Sequence, residues 1–209
     1  MIRILLADDH AIVREGYRTL LEKQGMHIVA EAADGAEAYR LYKETAPDLV
    51  IMDLAMPGIG GIEAIRRIRQ RDPGARILAF TMHRNPSFAI QAFQAGALGY
   101  VTKSSAPEIL LNAVRAVLQG RRALSPDISE DLALDRLGGE AGAFDALSPR
   151  EFEILRLLLD GKNQAEIAST LHIAPKTVAN CHYIIKGKLG VGSDIELMRL
   201  ALQAGIFEA

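Results

Sequence analysis

The chain has 209 residues, of which one, Cys181, is a cysteine. A lone thiol closes no intramolecular disulfide, and without a Cys cluster there is no zinc site of that kind. No apolar run approaches the roughly 18 residues that a membrane span requires. A charge excess is also lacking: 24 Lys and Arg stand against 26 Asp and Glu, for a net charge of −2. That argues against a protein coated in positive charge, but leaves room for a local basic face. Internal repeats are absent. The N-terminal Met1-Ile-Arg-Ile-Leu-Leu-Ala-Asp-Asp reads as a strand and lacks the basic, apolar and small-residue order of a signal peptide. The expectation is a soluble cytoplasmic protein with no membrane partner.

Hydrophobic residues make up 49% and charged residues 24%, the balance of a folded globular chain rather than a disordered or collagenous one. The length fits one large domain or two small ones. The first 120 residues alternate between short apolar runs and amphipathic stretches. Strands are expected over 2–6, 27–32, 49–52, 76–80 and 99–101. Helices are expected over 11–24 (with Ile12, Gly16, Leu20 and Leu21 as its stripe), 36–45 capped by Asp34, a stretch containing Ile62, Ile65 and Ile68, then 87–95 and 106–119. Near-continuous apolar strands separated by helices imply a five-stranded parallel sheet covered on both faces.

Such sheets bind ligands at the carboxyl ends of their strands, near the point where strand order reverses. The polar residues gather there: Asp8 and Asp9 after the first strand, Asp53 after the third, Thr81 after the fourth, Lys103 after the fifth. Three carboxylates at adjacent strand ends repel one another, and a hard, oxygen-seeking cation such as Mg²⁺ relieves the repulsion. Lys103 adds an opposing charge, and Thr81 a hydroxyl able to bond a phosphoryl oxygen. A carboxylate nucleophile, a Mg²⁺ site, a lysine and a hydroxyl can together accept and hold a phosphoryl group. Asp53, on the central strand, is the expected phosphoacceptor; Asp8 and Asp9 are the expected metal ligands.

Asp8-Asp9, the run Asp53-Leu-Ala-Met-Pro-Gly-Ile-Gly-Gly, Thr81, Tyr100 and Lys103 resemble the receiver domain of two-component response regulators over residues 2–119. The resemblance implies a flavodoxin-like fold, a sensor histidine kinase as phosphodonor and a Mg²⁺ site completed by the Ala55 carbonyl beside Asp8, Asp9 and Asp53. It also implies catalytic roles for Thr81 and Lys103, and a switch in which Thr81 moves toward the phosphoryl group while the Tyr100 ring turns inward. Read without the resemblance, Tyr100 is a half-buried aromatic on an edge strand. Two departures are visible: Gly60 stands where the family often has Asn or Asp, and Ser104 rather than Pro follows Lys103. The rival reading is a Mg²⁺-dependent phosphatase with an aspartyl nucleophile. Such an enzyme places an acid–base Asp two residues on, where this chain has Ala55, so only slow autodephosphorylation is expected. His83 is a candidate for positioning water, against the plainer reading of an idle loop histidine.

From 126 to 146 the composition turns to Gly138-Gly139, Gly142 and scattered acids, a linker with a short helix over 128–137. Beyond it no strand pattern remains. Ser148-Pro149-Arg150-Glu151 is a capping box with Pro at the first helical position. Helices of 164–171 and from Ala174-Pro175 to about Leu189 flank a brief turn, and Ser193 caps a last helix through Gln203. These segments resemble the LuxR-type helix-turn-helix, and the chain as a whole is similar to the NarL/FixJ class of response regulators. The expected organisation is a receiver domain over 1–122, a linker over 123–145, and an all-α, four-helix, DNA-binding domain over 146–209.

At 100° per residue, Val178, Cys181, Ile185 and Leu189 fall on the core side of the third C-terminal helix, and Lys176, Ala179, Asn180 and Tyr183 on the side free to enter a major groove. With Thr177, Lys186 and Lys188 they form the expected DNA-binding set, Asn180 being the candidate base reader. No acidic residue occurs from Ile167 to Ser193. Three positions depart from the family: Cys181 for a usual His, Asp194 near a frequent Arg, and Ala165 for a frequent Lys. So few cations suggest weak binding by a monomer and a homodimer on double-stranded DNA. Leu197, Leu200 and Ala201 of the last helix are read either as part of the dimer face or as packing within the domain. A protein-interaction module that has lost DNA binding is the other reading of this end, and RNA polymerase is a candidate partner.

Overall fold

The computed structural model describes residues 1–138 and 142–207, with the backbone alone for 135–138. Gly139, within the expected linker, lies outside the described residues. The chain divides into two compact units, Met1–Ala133 and Leu134–Ala209.

In the first unit, strands β1 (Ile2–Ala7), β2 (Met26–Ala32), β3 (Leu49–Met52), β4 (Ile77–Thr81), β5 (Gly99–Thr102) and β6 (Ala123–Leu124) alternate with helices α1 (Ala11–Glu22), α2 (Gly35–Thr45), α3 (Gly61–Arg71), α4 (Pro86–Ala95) and α5 (Pro107–Leu118), and α6 (Pro126–Gly138) follows β6 and contains the division after Ala133. The sheet is parallel, in the order β2-β1-β3-β4-β5-β6. Strand order reverses between β1 and β3, so the tips of those two strands flank a ready-made crevice. β3 is apolar on both faces because both are covered: Leu49, Val50, Ile51 and Met52 are all fully buried.

The five strands expected from the sequence are joined by a sixth. Ala123–Leu124 is too short to show a period, yet it pairs with Gly99 and Tyr100 and takes the edge position from β5. The segment then enters α6 bonded to β5: the Ser125 amide donates to the Tyr100 carbonyl (3.0 Å), and Thr102 Oγ1 donates to Asp127 Oδ2 (2.6 Å). The stripe assigned to α1 also shifts. Ile12 is 89% exposed, and the inward side is carried by Tyr17, set edge-on against Phe80 at 4.6 Å, and by fully buried Leu21. On the helix Ile12 lies well over 90° from that pair, so its hydrophobicity misleads. Asp34 caps α2 as expected, accepting from the Glu37 amide at 2.8 Å.

The second unit contains a 3₁₀ turn (Ala143–Ala146) and helices α7 (Pro149–Leu159), α8 (Gln164–Leu171), α9 (Pro175–Leu189) and α10 (Asp194–Gln203). The capping box opens α7: Ser148 Oγ accepts from the Glu151 amide (3.3 Å), and Glu151 Oε2 accepts from the Ser148 amide (2.7 Å). Asn163 and Glu166 form a second box at α8. The helix-turn-helix corner is made by His172, whose φ of 55° is left-handed, a conformation that costs a non-glycine residue roughly 1–2 kcal/mol. Phe144, Phe152, Leu155, Ile167, Val178 and Ile185 fill the core.

Candidate functional site

Three strand tips build the pocket. The Asp53 amide donates to the Ala7 carbonyl (2.8 Å), the Asp8 amide to the Ala32 carbonyl (3.0 Å), and the Lys103 amide to the Thr81 carbonyl (2.8 Å). Ladder hydrogen bonds therefore carry β1, β3 and β5 past their formal ends and fix the side chains that follow. Asp8 and Asp53 are each 3% exposed and Thr81 is fully buried. Lys103 Nζ bridges the acids, 2.5 Å from Asp53 Oδ2 and 2.6 Å from Asp8 Oδ2. Burial pulls the Lys103 pKa down, but the Asp53 and Asp8 carboxylates outweigh it and hold the ammonium above its ordinary value, so it stays charged. The other Asp53 oxygen, Oδ1, accepts from the Ala55 amide at 3.2 Å.

One ammonium does not neutralise Asp8, Asp9 and Asp53 together. Asp8, Asp9 and His10 present ligand atoms within 4.8 Å of one another. Carboxylate oxygens are the hard donors that Mg²⁺ takes. Sequence reasoning missed His10, whose Nδ1 lies 2.9 Å from Asp9 Oδ1 and 3.4 Å from Asp8 Oδ1. It also missed Arg14, which donates to the Asp8 carbonyl (2.5 Å) and to Glu31 (2.9 Å), tying α1 to the acidic loop. A third omission is Gly61, where a Cβ would stand 2.0 Å from the Asp53 carbonyl oxygen. Two glycines after Met-Pro-Gly-Ile are the signal that could have found it.

Thr81 Oγ1 accepts weakly from the His83 amide (3.4 Å), and the Tyr100 hydroxyl donates to the His83 carbonyl (2.9 Å). The reading of Tyr100 as a half-buried edge aromatic is corrected. β6 covers β5, and the ring is fully buried. Burial, followed by the negative charges of Asp53 and Asp127, pushes the phenol well above its usual pKa and keeps it a donor. The His83 ring is half-buried and stacked on Phe88 at 3.9 Å.

In α9, Val178 and Ile185 are fully buried, whereas Cys181 and Leu189 are only half-buried. Burial raises the Cys181 thiol pKa, which disfavours the reactive thiolate. Lys176, Thr177, Asn180 and Tyr183 are exposed, Tyr183 at 78%, and Ala179 is half-buried beside them. Two of the expected contacts are engaged inside the domain: Lys186 Nζ bonds Asp194 Oδ1 (3.1 Å), and Lys188 Nζ bonds Glu151 Oε2 (2.7 Å) and the Ala146 carbonyl (3.1 Å). Of the residues expected on a dimer face, Leu197 and Ala201 are buried in their own domain, one turn apart on the inward side of α10. Leu200 is half-buried, and the outward apolar residues of α10 are Ile195 and Leu202.

Comparison with known proteins covers both units. A family model described as the response regulator receiver domain matches residues 4–115, and one described as bacterial regulatory proteins, luxR family, matches residues 145–201. Response regulator UvrY of Escherichia coli (strain K12) is 38% identical over 212 residues, covering all of this chain and 97% of its own length. Response regulator GacA of Pseudomonas aeruginosa is 37% identical, covering all of this chain and 99% of its own. Among solved structures, RcsB from Salmonella enterica serovar Typhimurium, bound to the rprA promoter in the presence of the phosphomimetic BeF₃⁻, is 32% identical, with a TM-score of 0.76 over 95% of this chain and 97% of that one. A LuxR-family two-component response regulator from Aurantimonas sp. SI85-9A1 is 62% identical over 65% of this chain and 97% of its own, with a TM-score of 0.63.

Proposed function

Because this chain belongs to the response regulators that join a receiver domain to a LuxR-type helix-turn-helix and regulate transcription by binding DNA, we propose that Asp53 is its phosphoacceptor and a sensor histidine kinase its donor. The observation that carries the reading is the buried Lys103 ammonium, 2.5 Å from Asp53 at the crevice between strand tips. An Asp53 carboxylate oxygen attacks the phosphorus of a phosphohistidine. The P–O bond forms as the P–N bond breaks, and the imidazole, already protonated on its other ring nitrogen, leaves neutral. Lys103 meets the added charge, and the Thr81 hydroxyl donates to a phosphoryl oxygen. Asp8, Asp9, Asp53 and the Ala55 carbonyl would hold Mg²⁺, which screens the negative charge that gathers around the transferred group.

With Ala55 in place of an acid–base carboxylate, hydrolysis is slow and the phosphoryl group serves as a signal. Tyr100 and Thr81 relay it. As Thr81 Oγ1 turns to the phosphoryl oxygen it leaves the His83 amide, while Tyr100 keeps the same loop through the His83 carbonyl. The reader is α9, with Lys176 and Thr177 on phosphates and Asn180, Ala179 and Tyr183 on base edges. Lys186 and Lys188 complete the set on the flanks of α9, each beside a carboxylate partner in its own domain. Two copies bind together in the cytoplasm, pairing through α10, where Leu200 is the one member of the expected set not fully committed to its own core. The working limits are a receiver over 1–122, a connecting segment over 123–145 and a DNA-binding domain over 146–209.

Acetyl phosphate labelling followed by intact-mass and peptide mass spectrometry tests the acceptor. One phosphoryl increment on the peptide containing Asp53, absent in Asp53→Asn, is expected. Label on another residue overturns the assignment, and many turnovers of phosphate release per minute would return the phosphatase reading.

A further inference from the structure

The outward crest of α9 is flanked on each side by one lysine, and each lysine is met by a carboxylate from the start of another helix. On one flank Lys188 bonds Glu151, whose side chain is 12% exposed and also closes the α7 capping box. That acid is committed to the fold. On the other flank Lys186 bonds Asp194, whose side chain is 68% exposed. The same Asp194 oxygen lies 2.9 Å from His182 Nε2, so one carboxylate faces two basic side chains on the same flank of α9.

Asp194 lies in the first turn of α10 but does not cap it. Ser193 caps α10, its hydroxyl accepting from the Glu196 amide (3.2 Å), while the Glu196 carboxylate accepts from the Gly192 amide (2.7 Å). The start of α10 is satisfied without the Asp194 side chain. What distinguishes that side chain is its position. A helix lying in a major groove has sugar–phosphate backbone on both sides, and flank cations are the groups that meet it. Lys186 lies about 80° off the line of Lys176, Asn180 and Tyr183, on such a flank. Burial raises the Asp194 pKa, but Lys186 and His182 lower it by more, so the carboxylate is ionised wherever DNA binding is measured.

We propose that Asp194 is an electrostatic brake on DNA affinity: it holds Lys186 away from phosphate and places a negative charge where the backbone would approach. The proposal rests on the reading of α9 as the DNA-facing helix. The consequence is a unit whose own hold on DNA is set low, so that affinity comes from two copies acting together.

The test is binding of the full-length chain, treated with acetyl phosphate, to a labelled duplex of random sequence across a salt series. Asp194→Asn keeps the shape and removes the charge; Asp194→Ser guards against an effect peculiar to the amide. Both are expected to bind on the order of fivefold more tightly at low salt. The slope of log K against log salt should steepen by about 0.9, the signature of one more phosphate neutralised. Adding Lys186→Gln to Asp194→Asn should remove most of the gain. Unchanged affinity and slope in both Asp194 variants, or a gain undiminished by Lys186→Gln, overturns the brake. Lys176→Gln separates the two layers. If it weakens binding while Asp194→Asn does nothing, the brake alone fails; if it too leaves binding unchanged, the reading of α9 fails and the brake falls with it.

Discussion

Lys103 Nζ stands 2.5 Å from Asp53 Oδ2 with both side chains nearly sealed from solvent, at 7% and 3% exposure. Asp8 is 2.6 Å away on the other side, so the ammonium sits between two buried acids. Replacing it by Met leaves those acids uncompensated. Breaking a buried pair in this way costs roughly 3–5 kcal/mol. A divalent cation at the acids offsets part of the loss, so urea unfolding of Lys103→Met should show a large deficit in chelator and a smaller one in Mg²⁺. A deficit of the same size in both conditions would contradict the metal assignment.

A second prediction concerns the loop after Asp53. At Gly61 an added Cβ would meet the Asp53 carbonyl oxygen at 2.0 Å and Leu54 Cα at 2.8 Å, both backbone atoms that cannot swing aside. Gly58, three residues earlier, has φ +70° and open space around it. Gly58→Ala therefore carries only conformational strain, about 1 kcal/mol. Gly61→Ala must displace the acceptor strand's end, at about 1–3 kcal/mol or more, and should slow acetyl phosphate labelling. Labelling rates and urea midpoints of the two variants check the contrast; equal effects would mean that the loop has slack.

The polar strand tips were legible because a parallel sheet buried on both faces leaves an ionisable residue little place except beyond a strand's end, and Asp8, Asp53 and Lys103 are all there. Capping at Asp34 and Ser148 was legible because caps are local chemistry. What the sequence concealed depends on neighbours distant along the chain. Ala123–Leu124 becomes a strand only because Gly99 and Tyr100 offer it an edge. Ile12 looks like core until α1 is rotated by the demands of Tyr17 and Leu21. The lysines of α9 could be counted, but not their partners, since Asp194 and Glu151 reach them from other helices. Leu197 and Ala201 show the same limit in reverse, because an apolar stripe does not say which surface it covers.

Tyr100→Phe isolates the relay. The variant keeps the buried ring and loses the hydrogen bond to the His83 carbonyl, worth about 0.5–1.5 kcal/mol. Asp53 labelling should proceed at the wild-type rate, because the hydroxyl touches none of Asp8, Asp53 or Lys103. The increase in DNA affinity on phosphorylation should shrink. Filter binding with and without acetyl phosphate reads both quantities, and a full phosphorylation response in Tyr100→Phe would take the residue out of the relay.

Asn180 and Lys176 lie on the same crest of α9 but differ in chemistry. The Asn amide can pair two-fold with adenine, so Asn180→Ala should cost about 1–3 kcal/mol on the selected site and relax one position of it. Lys176 carries charge without a pattern to read, so Lys176→Gln should weaken selected and random duplexes alike and reduce the salt slope by about 0.9. In vitro selection with each variant separates the roles. A selected site unchanged by Asn180→Ala would remove it as the base reader.

Glu151 gives the DNA-binding domain a dependence on pH. Burial raises its pKa, but the Lys188 ammonium and the Ser148 amide and hydroxyl lower it by more, leaving it below the ordinary 4.5. A carboxyl depressed by folding contributes stability above its unfolded value and loses it as pH falls through the folded one. Glu151→Gln removes the charge that Lys188 meets while keeping an N3 side chain able to close the box, so the cost near pH 7 is that of a partly exposed ion pair, about 0.2–1 kcal/mol. Wild type and variant should therefore differ most at neutral pH and converge below about pH 4. Amide hydrogen exchange of the α7 residues in the full chain follows this locally. A gap that stays constant down to acid pH would show that Glu151 acts through shape alone, with its charge and Lys188 contributing nothing.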